Sequence, residues 1–171
     1  MSDSHEGGHA IAYPTRSLAL AAFDLAGFTQ IVQSGGALYE GVRRDGRWDE
    51  LRRLAGEDGS IYGVASHDHE CPEGWYRYTM AVADEPLAAG VPGGPDRLHT
   101  IHIGASEWVA FALEDFAAQY GRFWRDNPYA LIERLGREFN TDVGLHLDVF
   151  GPTYCSDHEG MEFLMPVRRP V

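Results

Sequence analysis

"CPEGWYRYTMAV" (71–82) and "CSDHEGMEFLMPV" (155–167) are two versions of one pattern. In each, a cysteine opens a polar loop that runs into an apolar strand. The second copy holds one extra residue, so Met80-Ala81-Val82 falls against Met165-Pro166-Val167, 85 positions later. Outward from this pair, "SIYGVAS" (60–66) and "GLHLDVFG" (144–151) read as the strands that precede the two loops. "RSLALAAFDL" (16–25) also resembles "SEWVAFALED" (106–115), 90 positions apart. Within these, "SLALAAFDL" (17–25) reads as one strand, and "LHTIHI" (98–103) and "EWVAFALE" (107–114) as two more, meeting at Gly104-Ala105-Ser106. Self-similarity at so long a period means two copies of a supersecondary unit, here strand–helix–strand–strand. One copy has too little apolar surface to stand alone, whereas two related by a pseudo-twofold share a core and leave a cleft between them.

The helical stretches fit that plan. "ALYEGVRRDGRWDELRRLAGEDG" (37–59) carries Leu38, Val42, Leu51 and Leu54 at helical spacing, with Gly46 weakening its middle. "DFAAQYGRFWRDNPYALIERLGREF" (115–139) is interrupted where Asn127 precedes Pro128, because a residue before proline disfavours the helical region. "DEPLAAGVPGGPD" (84–96), with three prolines and three glycines, marks a linker between halves at about 10–84 and 97–169. Residues 1–9 read as a flexible tail and 10–171 as a single domain.

The formal charge of −12, with no basic run longer than a pair, disfavours nucleic acid and anionic membranes as partners and favours cations. No apolar run approaches the ~20 residues of a membrane span. The polar start "MSDSHEGGHA" is no signal peptide, and two cysteines make no disulfide framework, so the expected location is cytoplasmic. The chain has no phosphate loop, dinucleotide fingerprint or nucleophile elbow, and no cofactor is expected. His67, His69 and Cys71 in "HDHEC", with His158 in the matching loop, fit no common zinc spacing, and the expected reading is a solvated turn without metal.

In "GLHLDVFGP" (144–152), Leu145, Leu147 and Val149 alternate with His146, Asp148 and Phe150. A carboxylate at the centre of such a strand must face water, pair with a partner such as an arginine, or await a ligand.

Four stretches, in this order, resemble the GyrI-like family, the effector-binding domains of AraC-type and MerR-type bacterial regulators and their stand-alone relatives. They are "IYGVASHDHECPEGWYRYTMAVADE" (61–85), "LHTIHIGASEWVAFALED" (98–115), the helix around Phe123-Trp124, and "LHLDVFGP" (145–152) followed by "MEFLMPV" (161–167). The resemblance spans about residues 10–168. It implies a duplicated α+β fold with two helices over a curved antiparallel sheet, and a central cleft that takes bulky, aromatic, frequently cationic molecules. It assigns Asp148 to the acidic position that meets the ligand's charge, one methylene shorter than the usual glutamate. Phe150 stands where tyrosine is frequent, and His102-Ile103 where the family usually has Pro-Ala, departures that loosen any inherited ligand identity.

On this reading the ligand-binding set is Asp148, His146, Phe150, Trp108, Trp124, Tyr120 and Tyr62. Trp124 shares a helix face with Tyr120 at i, i+4, and Tyr62 lies on the first-half strand equivalent to that of Asp148, so a pseudo-twofold places the two across the cleft. No helix-turn-helix segment precedes residue 10, so the chain is expected to act as a stand-alone binder of a hydrophobic or cationic aromatic small molecule. The alternative is enzymatic, since some relatives are hydrolases that open cyclopropane rings in genotoxic natural products. In that case Asp148 and His146, at i, i+2 on one strand face, are the catalytic candidates. A third class is an interaction protein acting on a separate regulator or a gyrase-like partner.

Overall fold

The computed structural model describes residues 12–83 and 99–171; the expected tail and linker lie outside them. The first half runs β1 (Thr15–Leu20), β2 (Phe23–Val32), α1 (Gly35–Arg44), α2 (Arg47–Ala55), β3 (Ile61–Ser66) and β4 (Tyr76–Ala83). The second runs β5 (His99–Ile103), β6 (Ser106–Leu113), α3 (Phe116–Arg125), α4 (Pro128–Arg134), β7 (Glu138–Phe139), β8 (His146–Phe150) and β9 (Met161–Arg168). The class is α+β, as expected, and both helical stretches break where the sequence says. Gly46 adopts a left-handed φ of 85° between α1 and α2. Asn127 caps α4 by accepting from the Tyr129 amide at 3.2 Å, with Pro128 in the first turn, where its missing N–H costs nothing.

Two details of the repeat differ from the sequence reading. Each unit is strand–strand–helix–helix–strand–strand, because the stretch read as one strand over 17–25 is β1, a two-residue link at Ala21-Ala22, and the start of β2. The likeness of "RSLALAAFDL" to "SEWVAFALED" marks neighbours and not equivalents: Leu18 lies opposite Trp108 where β1 pairs with β6. Two alternating apolar strands that face the same core look alike whether they are copies or partners. The second helical stretch is also shorter than read. It stops at Arg134, Gly136 turns the chain at φ 70°, and Glu138–Phe139 pair with β9.

All strands pair antiparallel in one sheet ordered β1-β6-β9-β8-β3-β4-β2-β5, with β7 on β9. The order is the same from either end once the halves are exchanged, which is the signature of the pseudo-twofold. Its axis passes between β3 and β8, and each half lends its first strand to the other. Because β1 and β2 sit near opposite ends of this order yet are joined by two residues, the sheet must curl, a two-residue link spanning only about 11 Å. The curl covers one face. Leu25, Val64, Ile103, Trp108 and Leu147, all 0% exposed, pack there. The other face lies under the helices and holds Met80, Phe111, Phe163 and Met165, with Leu38, Val42, Leu51 and Phe123 from above. Tyr78, Met80 and Val82 share this face, as the alternation of β4 predicts.

Trp108 therefore belongs to the inner core and not to a cleft wall. Trp108→Ala is expected to cost about 3–5 kcal/mol of stability, read by chemical denaturation.

Candidate functional site

β3 and β8 lie side by side at the middle of the sheet, with Gly63 directly opposite Asp148. A side chain at Gly63 would collide with the Tyr78 hydroxyl. That missing side chain lets Tyr78, from β4, reach under it and donate to Asp148 Oδ2 at 2.6 Å. Tyr120, from α3, donates to the same oxygen at 3.1 Å and lies 3.3 Å from Oδ1. Asp148 is 2% exposed, and no cationic side chain pairs with it among the described residues. Burial pushes its carboxyl up from 3.8 to about 6, and the two tyrosine bonds limit the rise by stabilising the charged form. Both tyrosines are held well above their ordinary value, first by burial and then by the carboxylate charge. They remain donors, and Oδ1 is the less occupied oxygen.

Above this group lies a cavity of about 670 Å³, walled by Tyr76, Tyr78, Phe116, Tyr120, Trp124 and Phe139, with Ser34–Gly36 and Tyr39 of the α1 end at one side. It opens between α1 and α3, so both halves contribute. Among the described residues its lining contains no lysine or arginine, but it does contain Asp148, Asp157 and Glu40. Asp157 is an exposed rim residue. Tyr39 donates to it at 2.5 Å and shares a 2.8 Å bond with Tyr154. The loop bearing Asp157 also caps α3, its carbonyl accepting from Ala117 at 2.7 Å and that of Glu159 from Phe116 at 3.0 Å.

His146 is on the same strand face as Asp148 and lines the cavity. Its ring packs between Phe163, with centroids 4.9 Å apart, and Trp124, at 5.2 Å. Burial lowers its pKa from 6.5 to about 4, so the imidazole is neutral at physiological pH.

Of the residues chosen from sequence, Asp148, His146, Tyr120 and Trp124 come together in this cavity. Three do not. Trp108 fills the inner core. Tyr62 lies one position out of register from Gly63, so it points to the opposite face, 6.3 Å from Phe23. The pseudo-twofold makes β3 and β8 neighbours, not opposite walls. Phe150 is on the helix-facing side but is 0% exposed inside an aromatic cluster with Tyr39, Trp48, Phe116 and Tyr154.

Sequence reasoning missed Tyr78, Tyr76 and Gly63. Two hydroxyls on an otherwise apolar strand face were a legible signal, and "IYGVAS" placed a glycine mid-strand, where a close approach is the usual reason. The "HDHEC" loop is an ordered turn: Asp68 accepts from the Glu70 amide at 2.9 Å and from Arg77 at 2.8 Å. No group of three metal-ligating side chains occurs among the described residues. Likewise none of the described helices is long and apolar enough to cross a membrane.

A curved antiparallel sheet with helices on one face and an acid-floored cavity between two halves is the architecture implied by the GyrI-like resemblance. Solved structures share the fold. SAV2435 bound to tetraphenylphosphonium is similar with a TM-score of 0.66 at 14% identity, over 91% of this chain and 94% of that one. The C-terminal domain of EcmrR is similar with a TM-score of 0.61 at 11% identity, over 94% and 100%. An integron cassette protein from the mobile metagenome of Vibrio cholerae gives 0.53 at 12%, over 90% and 95%. No family model matches the chain, and no curated protein does.

Two predictions follow from the buried acid. A carboxyl whose folded pKa is raised favours the folded state below its unfolded value and loses that contribution as pH rises through the folded value. The stability of Asp148→Asn relative to wild type should therefore increase between pH 4 and 6, by up to about 3 kcal/mol, and level off above. Denaturant midpoints across that range check it. Gly63→Ala should displace Tyr78 from Asp148 and cost about 1–3 kcal/mol by overpacking, and adding Tyr78→Phe should relieve part of that cost, since it removes the hydroxyl contact and leaves the ring carbon Cζ at 2.8 Å.

Proposed function

We propose that the protein binds a bulky, hydrophobic, aromatic cation in this cavity, as a sequestering or sensing protein for drug-like or natural compounds. The observation that carries the reading is Asp148, a carboxylate buried at the floor of an aromatic cavity with no cationic partner among the described residues. An unmatched buried charge is costly, and a ligand cation removes the cost. At an effective dielectric of about 20, a unit charge at about 4 Å gains about 4 kcal/mol. Tyr78 and Tyr120 hold the acid in place before the ligand arrives, so little ordering remains to be done on binding. Trp124 and the tyrosine rings offer faces to a delocalised cation. The net charge of −12 raises the local concentration of cations. Tetraphenylphosphonium, present in the SAV2435 structure, has the size and charge this reading requires and is the first probe.

Tetraphenylphosphonium titrated against intrinsic tryptophan fluorescence should bind saturably. Asp148→Asn should weaken it tenfold or more, a loss of about 1.4 kcal/mol, while a neutral polyaromatic of like shape should change little. Because the cation needs the ionised acid, wild-type affinity should be flat above about pH 7 and fall below about pH 6, a dependence that Asp148→Asn removes. Equal binding of the cation by both proteins would sink the role of the charge. Ligands recovered after incubation should have unchanged mass; a gain of one water would instead identify a hydrolase using the same cavity.

A further inference from the structure

The polar character of the cavity does not end with the acid. Two residues along β8 from Asp148, about 6.6 Å away at the usual rise, His146 presents its ring edge. Its Nδ1 is buried and has no hydrogen-bond partner among the described residues. Because that nitrogen is sealed and His146 lines the cavity, Nε2 is the nitrogen available to an occupant. The ring has little freedom to exchange the two, being held between Phe163 and Trp124.

A neutral imidazole has one N–H and one bare nitrogen. Placing the proton on Nδ1 would bury a donor with nothing to receive it, and orphaned buried N–H groups are the rarer and costlier defect. Placing it on Nε2 leaves only a lone pair unmet at Nδ1 and points the donor into the open cavity. The depressed pKa keeps the ring in this neutral form through the physiological range. Asp148 can only accept when ionised. The floor of the cavity thus offers an acceptor and a donor in fixed order along one strand.

We infer that His146 is a specificity-determining residue that donates from Nε2 to the ligand, so that the cavity selects aromatic cations bearing a hydrogen-bond acceptor about one ring away from their charge. This rests on the cation-binding reading above and adds a second point of recognition to it. Protonated or quaternary polyaromatics with an ether, carbonyl or phenolic oxygen fit; purely hydrocarbon cations satisfy only the acid.

The test compares tetraphenylphosphonium with its mono-(4-methoxyphenyl) analogue, which keeps the charge and the rings and adds one acceptor at the para position. Wild type should prefer the methoxy compound by about three- to tenfold, the range of one net hydrogen bond. His146→Phe, which keeps the packing on Phe163 and Trp124, should lose the preference for the methoxy compound over tetraphenylphosphonium. Equal binding of both cations by wild type, or a preference that survives in His146→Phe, overturns the inference while leaving the cation site standing. No saturable binding of either cation overturns both. If His146→Phe does not fold, nitrogen-15 NMR of wild-type histidine decides: a neutral Nε2–H tautomer whose signal shifts with the methoxy compound is expected, and the Nδ1–H tautomer overturns the assignment.

Discussion

One carboxylate oxygen ties this structure together. Oδ2 of Asp148 accepts from Tyr78, carried by the first half, and from Tyr120, carried by the second. The bonds tie a helix to the sheet and one half to the other, directly beside the pseudo-twofold. They depend in turn on a void, since Tyr78 reaches the acid only because Gly63 has no side chain. An apolar residue at 148 would relieve the burial cost but leave two tyrosine hydroxyls without an acceptor. The polar group is thus the common anchor of the cavity floor as well as its charge.

Asp148 and His146 answer acid in opposite directions. Protonation relieves the buried acid as pH falls below about 6, whereas it burdens the buried imidazole as pH falls toward about 4. Their contributions to stability partly offset each other over that interval.

Much of the fold was legible in the sequence because duplication leaves evidence twice. The likeness between β4 and β9 fixed one correspondence correctly, and Gly46 and Asn127-Pro128 marked the helix breaks through backbone constraints that act locally. The likeness between 16–25 and 106–115 misled, because pairing partners in a sheet share a pattern just as copies do. The site was legible at Asp148, His146, Tyr120 and Trp124, whose faces follow from strand and helix periods. Tyr62, Trp108 and Phe150 were misplaced for a common reason. Periodicity says which residues share a face, but which face becomes cavity and which becomes core depends on the direction of curl, a property of the whole sheet. Tyr78 and Gly63 escaped because their meaning lies in a cross-strand contact, absent from either strand alone.

The exchange of first strands between the halves has a consequence for how the chain is made. β1 leaves the ribosome long before β6, its partner among the described strands, with Leu18 waiting for Trp108 ninety positions later. Through most of synthesis β1 is an unpaired edge of a kind that other chains can capture. The loop that must close to rescue it is among the longest this topology allows, and such non-local pairings form slowly. In β1 (TRSLAL), Arg16 shares a strand face with Leu18 and Leu20 and later joins Glu162 at 2.8 Å. Before that partner exists, its charge is of the kind that discourages an edge strand from pairing with a neighbouring chain.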